Sequence, residues 1–350
     1  MREVRIGNKT VGDAYPCLIS LEPSATYATA SEAKALLEAV ATAGADAVKF
    51  QTFLPGEAER MMGGRKDIEV EFGTPTGKKR ESVQEALKRR ELPFEEWKVL
   101  ASLAHEKGLL FIASAYFLDT VAHMRDLGAD ALKVSKGDVN NALLIEAMAK
   151  TGLPVILDGR EKFEDVKRGV EICKKAGNEE VIVMHCPAGY PALDDTVHLR
   201  AIPAIKEMTG LPVGFADHSL GDLMNYAAVA LGANMLEKTL SPDRTTEKVE
   251  HFMSLEPQEL KAFVENVRRV EKAMGSVDVL SSSRVEENAR RSFVASRAIF
   301  KGESIVLEML DFRRPGNAGI PVAQSYEVLG KKANQDIQAG TFLQWEMLEA

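Results

Sequence analysis

Residues 30–53 read ASEAKALLEAVATAGADAVKFQTF, and this stretch contains the repeating unit on which the fold prediction rests. Its apolar residues recur at the spacing of one helix face, at Ala33, Leu36, Leu37 and Val40. Gly44 follows as a residue that typically ends a helix. Residues 45–51 then form a short apolar run, which is typical of a strand buried on both faces. The stretch therefore predicts an amphipathic helix that leads directly into a buried strand.

The same unit recurs along most of the chain. The predicted strands are residues 16–21, 45–51, 109–114, 131–134, 154–158, 180–184, 212–216 and 235–238. The predicted helices are residues 30–43, 94–107, 142–151, 163–176, 202–209, 221–231 and 257–274. Alternation of this kind indicates a parallel sheet covered by helices, and eight strands indicate closure into a (β/α)8 barrel. An open doubly wound sheet is the alternative, but no Gly-x-Gly-x-x-Gly follows any strand, which disfavours a dinucleotide-binding version.

The length of the chain, 350 residues, fits one barrel of about 250 residues and a smaller module. We assign residues 1–275 to the barrel and the polar, Ser-rich residues 276–287 to a linker. Residues 288–350, with short β-like elements and frequent turn signals, form a small β-rich domain. The segment after the second predicted strand, from Thr52 into the mid-80s, is unusually long and is a candidate lid on the active face.

Composition excludes several classes of partner. The net charge of −8 and a pI near 5.5 argue against nucleic-acid binding. The basic cluster at residues 88–90 sits among glutamates, and we interpret it as solvated surface. The three cysteines have no metal-type spacing, and no secretory signal or long apolar run is found. We therefore expect a cytoplasmic protein with neither a membrane nor a nucleic acid as partner.

Polar side chains gather where the predicted strands end, which is the active face of a barrel. They are Glu22, Lys49, Gln51, Ser114, Tyr116, Lys133, Lys136, Asp138, Asp158, Arg160, His185, Tyr190, Asp217, His218, Glu237 and Lys238. Several lysines among carboxylates predict a pocket for an anionic substrate, with Lys136, His185 and Asp217 among its contacts. His218 is the better acid–base or ligand candidate, because Asp217 or a loop carbonyl would fix its tautomer. His185 follows an apolar run and is alternatively a core histidine.

Seven stretches, in order along nearly the whole chain, carry a family resemblance. They are AGADAVKFQTF (43–53), HCPAGYPA (185–192), GLPVGFADHSLG (210–221), AAVALGANMLEK (227–238), MSLEP (253–257), ARRSFVASRAIFKGE (289–303) and FRRPGN (312–317). Together they resemble the sialic acid synthases, which include pseudaminic and legionaminic acid synthases and spore-coat relatives. The resemblance implies a (β/α)8 barrel followed by a C-terminal antifreeze-like (SAF) domain.

The resemblance also implies an activity. C3 of phosphoenolpyruvate would add to the open-chain aldehyde of an amino sugar or related aldose, water would attack C2, and phosphate would leave. A divalent metal, Mn or Mg, would polarise the aldehyde. Phosphoenolpyruvate would be held by Lys49, Gln51, Ser114, Lys133 and Tyr190. Glu22, Asp138 and Glu250 would orient the sugar or water and move protons. His218 would be one metal ligand. Arg314 would reach into the barrel of another subunit of a domain-swapped homodimer.

The chain departs from the family pattern around the sugar and the metal. Thr239 stands where the family has a second metal-binding histidine, and Lys136 stands where it has a serine. Glu22 is followed by Pro-Ser-Ala-Thr in place of an Asn-His-Asn-Gly type of loop. Two alternatives to a synthase therefore stay open. One is a metal-independent aldolase or lyase with a Schiff base on Lys136, and the other is a non-catalytic sugar-binding paralogue.

Overall fold

The computed structural model describes residues 2–159, 163–275 and 288–349. The chain divides into two compact units, Met1–Met274 and Gly275–Ala350. Arg160 and the predicted linker, residues 276–287, lie outside the described residues. Within the described ranges, every helix is too short or too polar to cross a membrane.

The secondary-structure elements alternate along most of the first unit. The strands are β1 (Val4–Ile6), β2 (Lys9–Val11), β3 (Leu18–Glu22), β4 (Ala47–Gln51), β5 (Glu69–Thr74), β6 (Gly77–Ser82), β7 (Leu110–Ser114), β8 (Ala131–Val134), β9 (Val155–Asp158), β10 (Val181–His185), β11 (Val213–Asp217), β12 (Met235–Thr239), β13 (Ser292–Ala295) and β14 (Leu310–Arg313). The helices are α1 (Ala30–Ala43), α2 (Glu57–Met62), α3 (Val83–Lys88), α4 (Phe94–Glu106), α5 (Leu118–Leu127), α6 (Ala142–Lys150), α7 (Phe163–Lys175), α8 (Ala201–Thr209), α9 (Leu223–Ala230), α10 (Pro257–Met274) and α11 (Ser325–Val328).

Eight parallel strands close into a barrel, as the sequence predicts. They are hydrogen-bonded in the order β10, β11, β12, β3, β4, β7, β8 and β9. Every predicted barrel strand is present, with ends that differ only slightly from the prediction. Helix α5 was not predicted, because its buried face carries Thr120 beside Val121 and Met124 and so lacks a continuous apolar pattern. The hairpin β1–β2 packs its buried side chains against the apolar barrel interior.

Alternation along the strands separates two buried regions. Outward-facing residues such as Phe215 pack against the surrounding helices. Inward-facing residues form an apolar core that includes Leu18, Ala47, Ile112, Ile156, Met184 and Met235. Gly214 must lack a side chain, because a Cβ there would meet the Met184 sulfur and lie 2.8 Å from the Met235 carbonyl oxygen. Towards the carboxyl ends of the strands, the next inward positions include four charged residues, Lys49, Lys133, Asp158 and Glu237.

The long segment after β4, residues 52–93, contains α2, the hairpin β5–β6 and α3, and we call it the lid segment. Backbone N–H of Gly73 donates to the Tyr190 carbonyl at 2.7 Å, in the loop after β10. Backbone N–H of Val249, in the loop after β12, donates to the Glu81 carboxylate at 2.9 Å. The lid segment is therefore fastened to two loops at the carboxyl end of the barrel.

The second unit is a small β-rich domain with its own core, as the sequence predicts. Strands β13 and β14 pair antiparallel. Its buried apolar residues include Phe293, Ile299, Ile305, Val328 and Leu343.

Candidate active site

A pocket of about 470 Å³ lies at the carboxyl ends of the barrel strands. Most of the predicted site residues line it, namely Glu22, Lys49, Gln51, Lys133, Lys136, Asp138, Tyr190, His218 and Glu250. The lid segment adds Met61, Met62, Val83, Leu87 and Arg90. Within the described residues, the pocket is thus built from strand ends below and the lid segment above.

Glu22 at the end of β3 is the acceptor of a buried hydrogen-bond network. Its Oε1 accepts from Lys49 Nζ at 2.6 Å and from Gln51 Nε2 at 2.8 Å, both on the neighbouring strand β4. Burial would raise the pKa of Glu22, but the charges of Lys49 and Lys133 outweigh it and lower the pKa to about 2. Glu22 is therefore ionised at neutral pH, with two lysines in its field.

Lys133 on β8 forms a second buried ion pair, with Glu237 on β12. Burial raises the pKa of Glu237 against the opposing pull of Lys133. Burial would lower the pKa of Lys133, but Glu237 and Asp158 raise it. Among the residues that the structure describes, Glu237 Oε2 has no hydrogen-bond partner. The pKa values of the two carboxylates, Glu22 and Glu237, are thus shifted in opposite directions, an arrangement typical of acid–base sites.

Glu250 and Arg90 form a third buried pair, at 2.9 Å. Glu250 Oε2 also accepts from the Ala25 backbone N–H at 2.8 Å. Glu250 has a φ of 73°, which is uncommon for a residue other than glycine. The interpretation of residues 88–90 as solvated surface was wrong for Arg90, which is 6% exposed. Arg90 lies in the turn after α3, beyond the last helical residue Lys88, so the helical pattern gave no signal of its burial.

Three side chains from separate strand ends form a row along the pocket. The Tyr190 ring stacks on His218 with centroids 5.1 Å apart. Lys136 Nζ lies over the same Tyr190 ring, 4.6 Å from its centroid. Lys136 belongs to a 3-10 turn after β8, whereas Tyr190 and His218 follow β10 and β11. We call these three residues the Lys136 row.

Asp217 and His185 lie away from the pocket lining, because alternation turns their side chains towards the helices. Asp217 Oδ2 accepts from Lys238 Nζ at 2.7 Å and from Asn225 Nδ2 at 2.6 Å. His185 Nε2 contacts the Val197 carbonyl oxygen at 2.6 Å, and burial lowers the pKa of this histidine. Both side chains are engaged in packing between the barrel strands and the surrounding helices. For His185, this is the alternative interpretation, that of a core histidine.

Two further predicted residues also lie outside the lining. Ser114 is fully buried on β7, and its hydroxyl has no hydrogen-bond partner within the described part of the chain. Ser114 lies two residues after Ile112 and four after Leu110, so all three side chains face the barrel interior. Arg314 is exposed in the second unit, directly after β14.

The donors in this pocket do not fit a divalent metal site built by the protein alone. Among the described residues, no three His, Cys, Asp or Glu side chains lie close enough together to hold a metal ion. Thr239, which stands where a second histidine was expected, offers only a hydroxyl, and its buried Oγ1 has no hydrogen-bond partner in the described ranges. The Lys136 ammonium in the row with His218 adds positive charge where a cation would bind.

Comparison with known proteins gives consistent matches over the whole chain. A family model described as the NeuB family matches residues 36–279, and a model of the SAF domain matches residues 290–349. The N,N'-diacetyllegionaminic acid synthase of Legionella pneumophila is 30% identical, over 98% of this chain and 98% of its own. The pseudaminic acid synthase of Campylobacter jejuni is 31% identical, over 93% of this chain and 94% of its own.

Solved structures match as well. The crystal structure of N-acetylneuraminic acid synthetase from Leptospira borgpetersenii, in complex with citrate, is 28% identical to this chain. It superposes with a TM-score of 0.72, covering 82% of this chain and 95% of that one.

Proposed function

Because the chain belongs to the NeuB family, we propose that it is a nonulosonic acid synthase, which condenses phosphoenolpyruvate with an amino sugar or related aldose and releases phosphate. The resemblance predicted from the sequence motifs is confirmed by the family match and by relatives that are legionaminic and pseudaminic acid synthases. The reaction is a carbon–carbon bond-forming transfer in carbohydrate biosynthesis.

The observation that carries the proposal is the pair of buried lysines in the pocket. Barrel interiors are normally filled with branched apolar side chains, and each buried ion costs several kcal/mol of desolvation. Lys49 and Lys133 both lower the pKa of Glu22, so both lie near the same carboxylate. Phosphoenolpyruvate carries a phosphate and a carboxylate, and two adjacent ammonium groups suit both anions.

The protonation states suggest how the residues divide the work. Glu237 pairs with Lys133, so this carboxylate holds the Lys133 ammonium in the pocket, where it faces the substrate phosphate. Glu22 stays ionised and accepts hydrogen bonds, so it orients the water that attacks C2. Gln51 and Tyr116 are hydrogen-bonded to each other at 3.1 Å beside Glu22 and position the substrate carboxylate.

The sugar is held on the opposite side, in this proposal, by Asp138 and by Glu250. Asp138 lines the pocket at the 3-10 turn after β8. Glu250 also lines the pocket, and Arg90 of the lid segment holds its carboxylate in place.

Phosphate release from phosphoenolpyruvate tests the proposal. The assay uses a panel of N-acylated and plain aldoses, each with EDTA, Mn²⁺ or Mg²⁺. We expect release with at least one sugar, and Lys133→Met should abolish it. Lys150→Met is the matched control, because Lys150 pairs with Glu146 on the surface of α6. If folded protein releases no phosphate with any aldose of the panel, the proposal is contradicted and a non-catalytic sugar-binding protein is favoured.

A metal-independent aldolase or lyase is the second candidate, because Lys136 lies in the pocket lining. This reaction would pass through a Schiff base on Lys136. Borohydride reduction in the presence of substrate, followed by peptide mass mapping, separates the two candidates. An adduct on Lys136 would favour the aldolase, whereas phosphate release without an adduct favours the synthase.

We also propose that the enzyme works as a cytoplasmic, domain-swapped homodimer. No disulfide bond joins Cys17, Cys173 and Cys186, and all three are buried, which suits a reducing compartment. Arg314 is exposed at the end of β14, where a second subunit would use it.

A further inference from the structure

We propose that a second cavity, next to the active-site pocket, binds an N-acyl chain longer than acetyl on the acceptor sugar. The inference deepens the proposed function and rests on it. It is supported by the continuity of the two cavities, by the apolar wall of the second one and by the charges around it.

The first support is the continuity of the two cavities. The second cavity has a volume of about 700 Å³, larger than the pocket at the strand ends. Three residues line both of them, namely Met61 of the lid segment, Tyr116 after β7 and Asp138 after β8. In the proposed function, Asp138 holds the acceptor sugar. A substituent of that sugar therefore has the second cavity directly beside it.

The second support is the apolar wall. The cavity lies between the lid segment and the first turns of α5 and α6, and its apolar lining consists of Met61, Phe117, Leu118, Leu143 and Leu144. Leu118 is 53% exposed and Leu143 is 68% exposed. Large apolar side chains that are exposed beside one cavity form a surface that an apolar group would cover.

The third support is the balance of charge. Arg60 joins the lid segment to α5, because its Nη1 donates to Asp119 Oδ1 at 3.0 Å and to Oδ2 at 2.8 Å. The Arg60 guanidinium also lies over the Phe117 ring, 4.0 Å from its centroid. The charge of Arg60 is thus met by groups of the cavity wall. With Asp138, the charged lining residues are one basic and two acidic, which disfavours an anionic substituent.

The volume indicates a chain rather than a single methyl group. Complete ligand sites in proteins usually have volumes of about 300–1,000 Å³, and the second cavity alone falls in this range. An acetyl group ends in one methyl and would leave most of the cavity to water. A chain of several carbons would cover Leu118 and Leu143, while its amide would lie near Asp138, where the two cavities meet.

The first experiment varies the acceptor. The amino sugar that gives turnover is prepared with N-acetyl, N-butanoyl, N-hexanoyl and N-succinyl groups, and phosphate release by the wild-type chain is measured with each. Every added methylene should lower the KM of the sugar by up to about fourfold, the equivalent of about 0.8 kcal/mol per buried CH₂. The kcat should stay the same, because the chain binds equally in the ground and transition states. The charged N-succinyl group should give a higher KM than N-butanoyl.

The second experiment changes the wall. The double variant Leu118→Ala/Leu143→Ala should lose most of the preference for the longer chains, with the KM for the N-acetyl sugar and for phosphoenolpyruvate unchanged. Val99→Ala is the matched control, because Val99 is 63% exposed on α4 and lines neither cavity. Size-exclusion chromatography of all variants shows whether the substitutions alter the oligomeric state. If the double variant fails to fold, the acyl series with the wild-type chain still decides.

Several outcomes overturn the inference. A KM that does not fall with chain length, or turnover only of aldoses without an acyl group, would overturn it and leave the proposed function standing. A double variant that dissociates into monomers but keeps the preference for longer chains would overturn it too, and would indicate that a second subunit covers the cavity. No phosphate release with any acceptor would overturn the proposed function and this inference together.

Discussion

Arg90 Nη2 donates a hydrogen bond of 2.9 Å to Glu250 Oε2, and both side chains are buried. Arg90 lies near the end of the lid segment, whereas Glu250 lies in the loop after β12. The pair therefore joins two loops across the mouth of the pocket. Burial would raise the pKa of Glu250, but Arg90 outweighs it and lowers this pKa. Glu250 is thus ionised at neutral pH, and its charge depends on Arg90.

We expect Arg90→Met to lower the free energy of unfolding by about 3 kcal/mol, because it leaves the Glu250 charge buried without its partner. Glu250→Gln removes that charge, so the double variant should recover part of the loss. Urea denaturation at neutral pH of both single variants and the double variant measures the coupling. Effects that simply add would contradict the pairing.

Arg90 also marks a limit of prediction from sequence. The eight strands and their polar ends are predictable, because helix and strand periods are local properties of the chain. Arg90 is separated from Glu250 by 160 positions. Its burial arises from the way in which the lid segment folds over the mouth. No local pattern encodes that contact, and a basic cluster is usually solvated.

Asp217 and Lys238 give a second prediction. Both are buried at strand ends, and they pair at 2.7 Å outside the pocket. We expect Asp217→Asn to destabilise the barrel by about 3 kcal/mol, because the Lys238 charge loses its partner. The kcat for phosphate release should change little in protein that remains folded. Lys133→Met is the comparison, since it should abolish kcat. A loss of kcat in an Asp217→Asn variant of full stability would contradict this placement and indicate that Asp217 acts in the active site.

The same pair explains why the site was only partly predictable. The sequence places Asp217 and His218 at one strand end, but their side chains point to opposite sides of the barrel wall. Which of two successive residues faces the pocket depends on the register of the strand in the closed barrel. His218 lines the pocket and Asp217 does not. Strand bounds that are uncertain by one or two residues do not determine this choice.

The lowered pKa of Glu22 predicts that the stability of the fold depends on pH. Its pKa is lowered from an ordinary 4.5 to about 2 in the folded chain. The ionised form is therefore favoured by folding, and its contribution is present above pH 4.5 and lost as the pH falls towards 2. A shift of this size corresponds to about 3 kcal/mol. Urea denaturation across this range should show a smaller decline for Glu22→Gln than for wild type.

Glu237→Gln is the matched control for that experiment. Burial raises the pKa of Glu237, so the ionised form is disfavoured by folding and the sign is opposite. Its replacement should not reduce the decline of stability at low pH. Equal slopes for wild type and Glu22→Gln would contradict the assignment of a lowered pKa to Glu22.

Arg314 provides the sharpest test of the proposed domain swap. The variants Lys133→Ala and Arg314→Ala should each be inactive, because the first lacks a lysine that binds the substrate phosphate and the second lacks the arginine. If Arg314 serves the barrel of the other subunit, a mixed dimer contains one barrel with Lys133 that receives an intact Arg314. Unfolding and refolding the two variants together should therefore restore phosphate release to about a quarter of the wild-type rate, because half of the dimers are mixed and each has one complete site. Size-exclusion chromatography confirms the dimer, and each variant refolded alone is the control. If Arg314 serves its own barrel, every site in the mixture lacks one of the two residues and no activity returns.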